Sequence, residues 1–208
     1  MFRNLLRPDS PLMITMNNIT DCIFLSLFWI LGCFPVVTLG ASFAALYDAS
    51  YRGLRKGEKH SWQRFFHVFR TNWKAGILPT VAVLAIFSGA VFLLIKIWNA
   101  AVAQQISFML FAAGAFLSML ILGTVSLAFP ILSRFENSFL SLMRNTILLG
   151  FVNLPRTLLL GILNAAAIFL CARYVFPLFF LPSLAALIGS LLIEPMFKPF
   201  MNPEETAD

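Results

Sequence analysis

Three polar side chains lie within long apolar segments of this chain, and they are its strongest candidates for chemistry: Asp21, Asp48 and Asn164. A polar or ionisable group at membrane depth either pairs with another polar group or marks a proton or substrate path. Asp48 has Arg52 four residues later, where two helical side chains meet, so an ion pair near a helix end is the simpler interpretation. Asn164 lies one turn after Gly161, a combination typical of hydrogen bonding between packed helices.

Other residue types that support catalysis or metal binding occur without the partners that such chemistry needs. His60 and His67 share a helical face, but no cysteine or carboxylate stands at ligand spacing from them. The three cysteines are isolated in apolar segments, as buried small hydrophobic side chains are. No serine is backed by a histidine in a catalytic motif, and no phosphate-binding loop is present. We therefore predict a protein that is not an enzyme, with no catalytic residues, no cofactor and no metal site.

Two long stretches almost free of charge define the elements that position these residues. Residues 75–133 contain a single charged residue, Lys96, and residues 157–193 contain only Arg173. About 20 apolar residues cross a hydrocarbon core about 30 Å thick, so each stretch is long enough for a helical hairpin with its charge near the turn. The composition is 60% hydrophobic and 12% charged, whereas soluble domains carry about 25% charged residues. The charge-free stretches and the composition together predict an integral membrane protein.

The order of apolar and polar segments predicts an all-α, polytopic transmembrane helix bundle in a single domain, residues 1–208. We predict about six spans: residues 12–37, 38–55, 75–97, 106–132, 157–172 and 174–193. The second of these, Thr38–Arg55, is short and only moderately apolar. It could instead re-enter the membrane, which requires burial in protein or a wet cavity, but a short span is favoured. The acidic tail, residues 198–208, is expected to be mobile.

One connection carries an aromatic helical face and a basic one. Within residues 59–74 the aromatic residues recur at spacings of three and four, and the polar residues fall largely on the opposite face. This pattern is typical of a helix lying in the membrane interface, here on the cytoplasmic side. We predict that ten residues of this region contact lipid or a partner: Arg55, Lys59, Trp62, Arg64, Phe65, Phe66, Phe69, Arg70, Trp73 and Lys74.

The positive charges are distributed as in a multi-pass membrane protein rather than a nucleic-acid-binding protein. The formal net charge is +6, and seven of the fifteen Lys and Arg residues lie within residues 52–74. Residues 133–156 are also basic, whereas residues 98–105 and 172–177 carry almost no charge. Cytoplasmic connections hold the excess of Lys and Arg, so both basic connections and both termini are predicted to be cytoplasmic. The predicted partner is the lipid bilayer, and nucleic acid is excluded.

Three segments together resemble the YesL family of bacterial membrane proteins. The most recognisable is Pro35-Val36-Val37-Thr38-Leu39-Gly40-Ala41 followed by Ala45-Leu46-Tyr47; the others are residues 65–74 and residues 134–145 with 155–160. They lie in order across most of the chain, although the last span matches nothing in the family. The resemblance implies a small multi-pass protein of the bacterial plasma membrane. The family offers no established activity or site residues. Its members are often encoded beside carbohydrate-uptake systems, which is association rather than mechanism.

Two functions of different classes fit these observations. The first is a non-enzymatic accessory protein that docks a partner, such as a transporter subunit in carbohydrate uptake or a second copy of itself. The second is a small secondary transporter in which Asp21, Asp48 and Asn164 line a path. The spans contain few polar groups and show no clear inverted repeat, so the first is favoured.

The charge asymmetry yields a topology that can be tested by labelling. In a background without native cysteines, a cysteine in place of Val102 should react with a membrane-impermeant maleimide added outside intact cells. A cysteine in place of Trp62 should react only after permeabilisation, because its connection is basic. External labelling at residue 62 but not at residue 102 would contradict the predicted orientation.

Overall fold

A computed structural model describes residues 11–58, 60–103, 107–135 and 138–197 of the protein. These ranges are almost entirely helical and contain no strand, so the predicted all-α class is confirmed for them. The helices are α1 (Pro11–Cys33), α2 (Leu39–Ala49, continued by a π-helical turn, Ser50–Arg55), α3 (Ser61–Asn72), α4 (Ile77–Val102), α5 (Phe108–Ser126), α6 (Ala128–Arg134), α7 (Phe139–Val152), α8 (Leu154–Arg173) and α9 (Leu181–Phe197).

Four helical segments are long and apolar enough to cross a membrane: Met16–Cys33, Ile77–Val102, Phe108–Arg134 and Leu154–Arg173. The third comprises α5 and α6 in succession. Their outward faces are apolar; α1, for example, exposes Ile23, Leu27 and Leu31 at four-residue intervals. Such a continuous apolar face marks contact with a membrane or another protein. The shorter apolar helices, α7 and α9, fall below the length of a straightforward span.

The boundaries differ from the predicted ones in two places. The connection at residues 133–156 contains a complete helix, α7, which sequence reasoning missed because Arg144 and Asn145 interrupt its apolar run. The predicted last span, residues 174–193, instead begins at Leu181. A short 3-10 turn, Phe176–Phe179, precedes it.

Helix α2 is the most deeply buried helix in the described ranges. Ala41, Ala44, Ala45 and Ala49 have no exposed surface, and their small side chains allow neighbouring helices to approach closely. Pro35, which cannot donate a backbone hydrogen bond, lies in the short break between α1 and the 3-10 turn that leads into α2. This burial meets the requirement of a re-entrant segment for cover by protein, and it is equally compatible with a short span in the middle of the bundle.

Helix α3 packs lengthwise beside α1 and α2. It runs antiparallel to α2, since a Cβ on Gly53 would meet Ser61 while Gly76, just beyond the C-terminal end of α3, lies against Ala41. It runs parallel to α1, since Ser61 hydrogen bonds to Asp21 and Phe69 lies near Gly32. Helix α3 is therefore an integral part of a three-helix layer rather than an isolated helix.

Helices α5 and α8 make the most extensive contact between any two helices of the described ranges, and two glycines allow it. A Cβ on Gly123 would collide with the backbone carbonyl of Thr157, and a Cβ on Gly161 would collide with that of Met119. The two backbones thus touch where neither helix carries a side chain, as in small-residue contacts between membrane helices.

Gly123→Ala and Gly161→Ala should each destabilise the protein by about 1–3 kcal/mol, because the added methyl group forces packed backbones apart. Gly89→Ala on α4 is the matched control, since a Cβ there meets nothing within 4 Å. We expect that variant to be neutral or stabilised by up to about 1 kcal/mol, because alanine is the better helix former. Unfolding midpoints of the purified proteins in detergent measure the difference; equal midpoints for Gly89→Ala and Gly123→Ala would contradict the packing.

Candidate functional site

Asp48, on α2, is completely buried and faces three guanidinium groups. Arg64 Nε lies 2.6 Å from Asp48 Oδ2. Arg52 Nε lies 3.3 Å from Oδ1, and Arg134 Nε lies 3.9 Å from the same oxygen. The pair with Arg52 confirms the contact predicted from their spacing of four residues. The other two arginines come from α3 and α6, and no local pattern in the sequence points to them.

A second buried carboxylate completes the cluster. Glu194, near the end of α9, accepts a hydrogen bond of 2.7 Å from Arg134 Nη2 and one of 2.9 Å from the Tyr47 hydroxyl, both at Oε1. Arg134 therefore lies between Glu194 and Asp48. We call Tyr47, Asp48, Arg52, Arg64, Arg134 and Glu194 the ionic cluster; it joins α2 to α3, α6 and α9.

Local structure explains how each charged group is held. Arg134 lies in the last turn of α6, where a cation complements the negative end of the helix dipole. Arg64 lies in the first turns of α3, whose inner face also buries Phe65 and Val68. Buried charges are tolerated only when paired and hydrogen bonded, so these elements must come together for Asp48 and Glu194 to remain charged.

The outward side of residues 62–74 differs from the predicted aromatic and basic faces. Arg64, expected on the basic outer face, turns inward to Asp48. Among the predicted aromatic contacts, Phe65 is buried and Phe69 half-buried, whereas Trp62, Phe66 and Trp73 are 49%, 39% and 47% exposed. The aromatic residues thus divide between the two faces, because α3 packs against two helices and not only against a flat surface.

We call the exposed aromatic, histidine and basic side chains of this segment the outer face: Trp62, Phe66, His67, Arg70, Trp73 and Lys74. Trp62, Phe66, His67 and Arg70 also border a shallow groove. Lys59, predicted to contribute, lies outside the described residues, as does the acidic tail, residues 198–208.

The other polar candidates are engaged elsewhere. Asp21 Oδ2 accepts a hydrogen bond of 2.8 Å from Ser61 Oγ, at the N-terminal end of α3. Asn164 Nδ2 donates a bond of 2.8 Å to the carbonyl oxygen of Leu160, within its own helix. Asp21, Asp48 and Asn164 therefore have separate partners, and no hydrogen bond between any two of them is found in the described ranges.

Sequence reasoning also missed a group of cations around Tyr51, on the π-helical turn after α2. Arg134 Cζ lies 4.4 Å from the centroid of the Tyr51 ring. Arg55 Cζ lies 5.5 Å and Lys56 Nζ 5.7 Å from it. Arg55 also donates through Nη1 to the carbonyl oxygen of Ser190, at 3.0 Å. The available signal was Arg55 four residues after Tyr51, a spacing at which helical side chains meet.

Residues 22–95 are similar to a family described as a protein of unknown function, DUF624. No curated protein and no solved structure gives a significant match. The matched region begins within α1 and ends within α4, so it contains Asp48, Arg52, Arg64 and the outer face. It omits Arg134 and Glu194, the members of the ionic cluster supplied by α6 and α9. The family match is compatible with the YesL resemblance and attaches no activity to this region.

Asp48→Asn should lower the free energy of unfolding by about 3 kcal/mol or more, because it leaves three arginines around a neutral amide. Asp21→Asn is the control, since its carboxylate is only half-buried and bonds to a single hydroxyl; it should cost about 1 kcal/mol. The double variant Asp48→Asn, Arg64→Gln should cost less than the sum of its single changes, because the pair is in direct contact. Tryptophan fluorescence during unfolding in detergent measures each value, and strictly additive costs would argue against a shared cluster.

Proposed function

We propose that this protein is a non-enzymatic accessory component of the bacterial plasma membrane that docks a membrane-bound partner through the outer face of residues 62–74. The observation that carries the proposal is the asymmetry of α3. Its inner side is fixed by Arg64 to Asp48, at 2.6 Å, and by the buried Phe65. Its outer side leaves Trp62 half exposed, as is Trp73 directly after its last turn.

The rigid attachment of α3 matters for binding. An isolated helix of twelve residues is marginally stable in water, so a free segment would lose conformational entropy each time it became ordered on binding. Packing against α1 and α2 orders the segment during folding instead. A preorganised surface loses less entropy on association, and the outer face has this property.

The side chains of the outer face suit a protein interface bordering a membrane. Aromatic residues and arginine are enriched in the residues that dominate binding energies. Trp62, Phe66 and Trp73 supply apolar area, while Arg70 and Lys74 are exposed cations. The same combination also holds a segment near anionic headgroups, so the lipid surface would orient the segment toward a partner that shares the bilayer.

The proposed topology has six spans, with both termini in the cytoplasm. The four long apolar helices support four of these spans. The remaining two are assigned to residues 38–55 and to α9, which are shorter. The cations at the start of the connection, Arg52, Arg55 and Lys56, favour the cytoplasmic side for the N-terminal end of α3. From that end α3 extends alongside α1 and α2, so the outer face borders these helices at the membrane.

A transport function is less well supported. Asp48 is neutralised by its arginines, and Asn164 is bonded within its own helix. A hydrophilic sugar would need many polar partners along its path, since an unpaired hydroxyl in an apolar medium costs several kcal/mol. The link to carbohydrate uptake comes from the YesL resemblance, and it makes a subunit of a carbohydrate importer the first partner to test.

Site-specific photo-crosslinking in native membranes can test the docking proposal. A photoreactive residue in place of Phe66 should capture a transporter subunit, whereas one in place of Phe92, an exposed residue of α4, should capture mainly lipid. Exchanging both Trp62 and Trp73 for alanine should reduce capture at position 66 at least tenfold while lowering the unfolding midpoint only modestly, because about half of each residue is exposed.

Reconstitution into liposomes distinguishes docking from transport. The purified protein should not move radiolabelled sugars across the bilayer. Robust uptake by the protein alone, or equal capture at positions 66 and 92, would overturn the accessory role.

A further inference from the structure

The cations around Tyr51 have an unusual charge balance. Three positively charged groups lie within 6 Å of one ring centroid, at 4.4, 5.5 and 5.7 Å. An aromatic face attracts cations, but groups of like charge gathered around the same ring also repel one another. Such an arrangement becomes favourable when an anion neutralises the repulsion.

Only one of these three cations has an acidic partner in the described ranges. Arg134 pairs with Glu194 at 2.7 Å and with Asp48 at 3.9 Å. Arg55 donates to the backbone carbonyl and hydroxyl oxygens of Ser190, which are uncharged. Lys56 has no carboxylate within 4 Å and no side-chain hydrogen bond among these residues. Both Arg55 and Lys56 are exposed, so two positive charges face outward at this point.

The backbone is shaped to bring these two cations to the same ring. In an α-helix a residue five positions later lies about 140° around the axis, and Lys56 would point away from Tyr51. Here the chain forms a π-helical turn, and the Lys56 amide donates to the Tyr51 carbonyl oxygen at 3.1 Å. The wider turn brings Lys56 back toward the side of the helix that carries Tyr51, with Arg55 beside it. Turns of this kind are rare and occur frequently at functional sites.

We propose that Tyr51, Arg55 and Lys56 form a binding site for a phosphate group. A guanidinium group offers five donors in a planar fork that matches phosphate oxygens, and Arg55 commits Nη1 to Ser190. Lys56 adds a mobile point charge. The phosphate comes from an anionic phospholipid headgroup or from a soluble phosphate. This site is separate from the outer face, because it lies at the π-helical turn and involves no residue of α3.

Lipid and phosphate binding to the full-length protein test this site. Native mass spectrometry of the protein released from detergent compares the number of bound phosphatidylglycerol molecules with the number of bound phosphatidylcholine molecules. Calorimetry measures the affinity for inorganic phosphate, the soluble ligand. Lys56→Gln should weaken the binding of phosphatidylglycerol or of inorganic phosphate, whichever of the two binds, about fivefold. This is the expected effect of one cation near an anionic surface. Arg55→Lys, which keeps the charge but not the fork, should have a smaller effect than Arg55→Gln.

Lys96→Gln is the matched control. Lys96 is an exposed cation 5.4 Å from the Phe92 ring centroid, with no second cation recorded at that ring in the described ranges. Its loss should not change binding. Lys56→Gln is the decisive variant, because removing its ammonium group breaks no hydrogen bond to a described residue. An unchanged unfolding midpoint without ligand verifies that it folds.

Each outcome of the two arms has a definite meaning. Phosphatidylglycerol binding without inorganic phosphate binding identifies the lipid headgroup as the source, and phosphate binding identifies a soluble ligand. Binding of neither probe would overturn the proposal. Equal losses in Lys56→Gln and Lys96→Gln would also overturn it, because they would indicate a nonspecific effect of charge.

Discussion

The charge of Asp48 must be neutralised in a place that water does not reach. A carboxylate with no exposed surface is stable only when cations and hydrogen-bond donors surround it. Here its cationic partners come from the π-helical turn after α2, from α3 and from α6, and one of them also binds Glu194 of α9. Pairing of this charge therefore requires segments more than eighty residues apart in sequence to assemble around α2.

The packing of the surrounding helices is consistent with this requirement. The alanines of α2 remove bulk where α3 and α6 approach, and the Gly40 amide donates to the Thr80 hydroxyl at 2.9 Å where α4 begins. Phe43 stacks on Phe129 of α6 with ring centroids 5.3 Å apart, which sets the register that brings Arg134 to Asp48. Apolar packing thus places the charged groups, and the pairing of those groups then makes other arrangements costly.

The sequence predicted those features that depend on local composition. The charge-free stretches correctly indicated α4, α5 and α8, and the spacing of Asp48 and Arg52 indicated their ion pair. It could not indicate Arg134 or Glu194, because their contacts with α2 depend on how distant helices pack. It also could not separate the two faces of α3. A recurrence of aromatic residues defines a helical side, but Phe65 and Trp62 receive opposite environments only once α1 and α2 are in place.

The number of charges in the basic segment at residues 52–74 does not show which of these charges lie on the surface. By sequence its seven cations are equivalent evidence for a cytoplasmic connection. In the structure Arg52 and Arg64 are drawn to the buried Asp48, where they stabilise the fold. Arg55, Lys56, Arg70 and Lys74 stay exposed, and they alone among the described cations of this segment are free to act on a membrane or a ligand. Because the paired arginines fix α2 and α3 relative to each other, they also fix the position of the outer face relative to the cations of the π-helical turn.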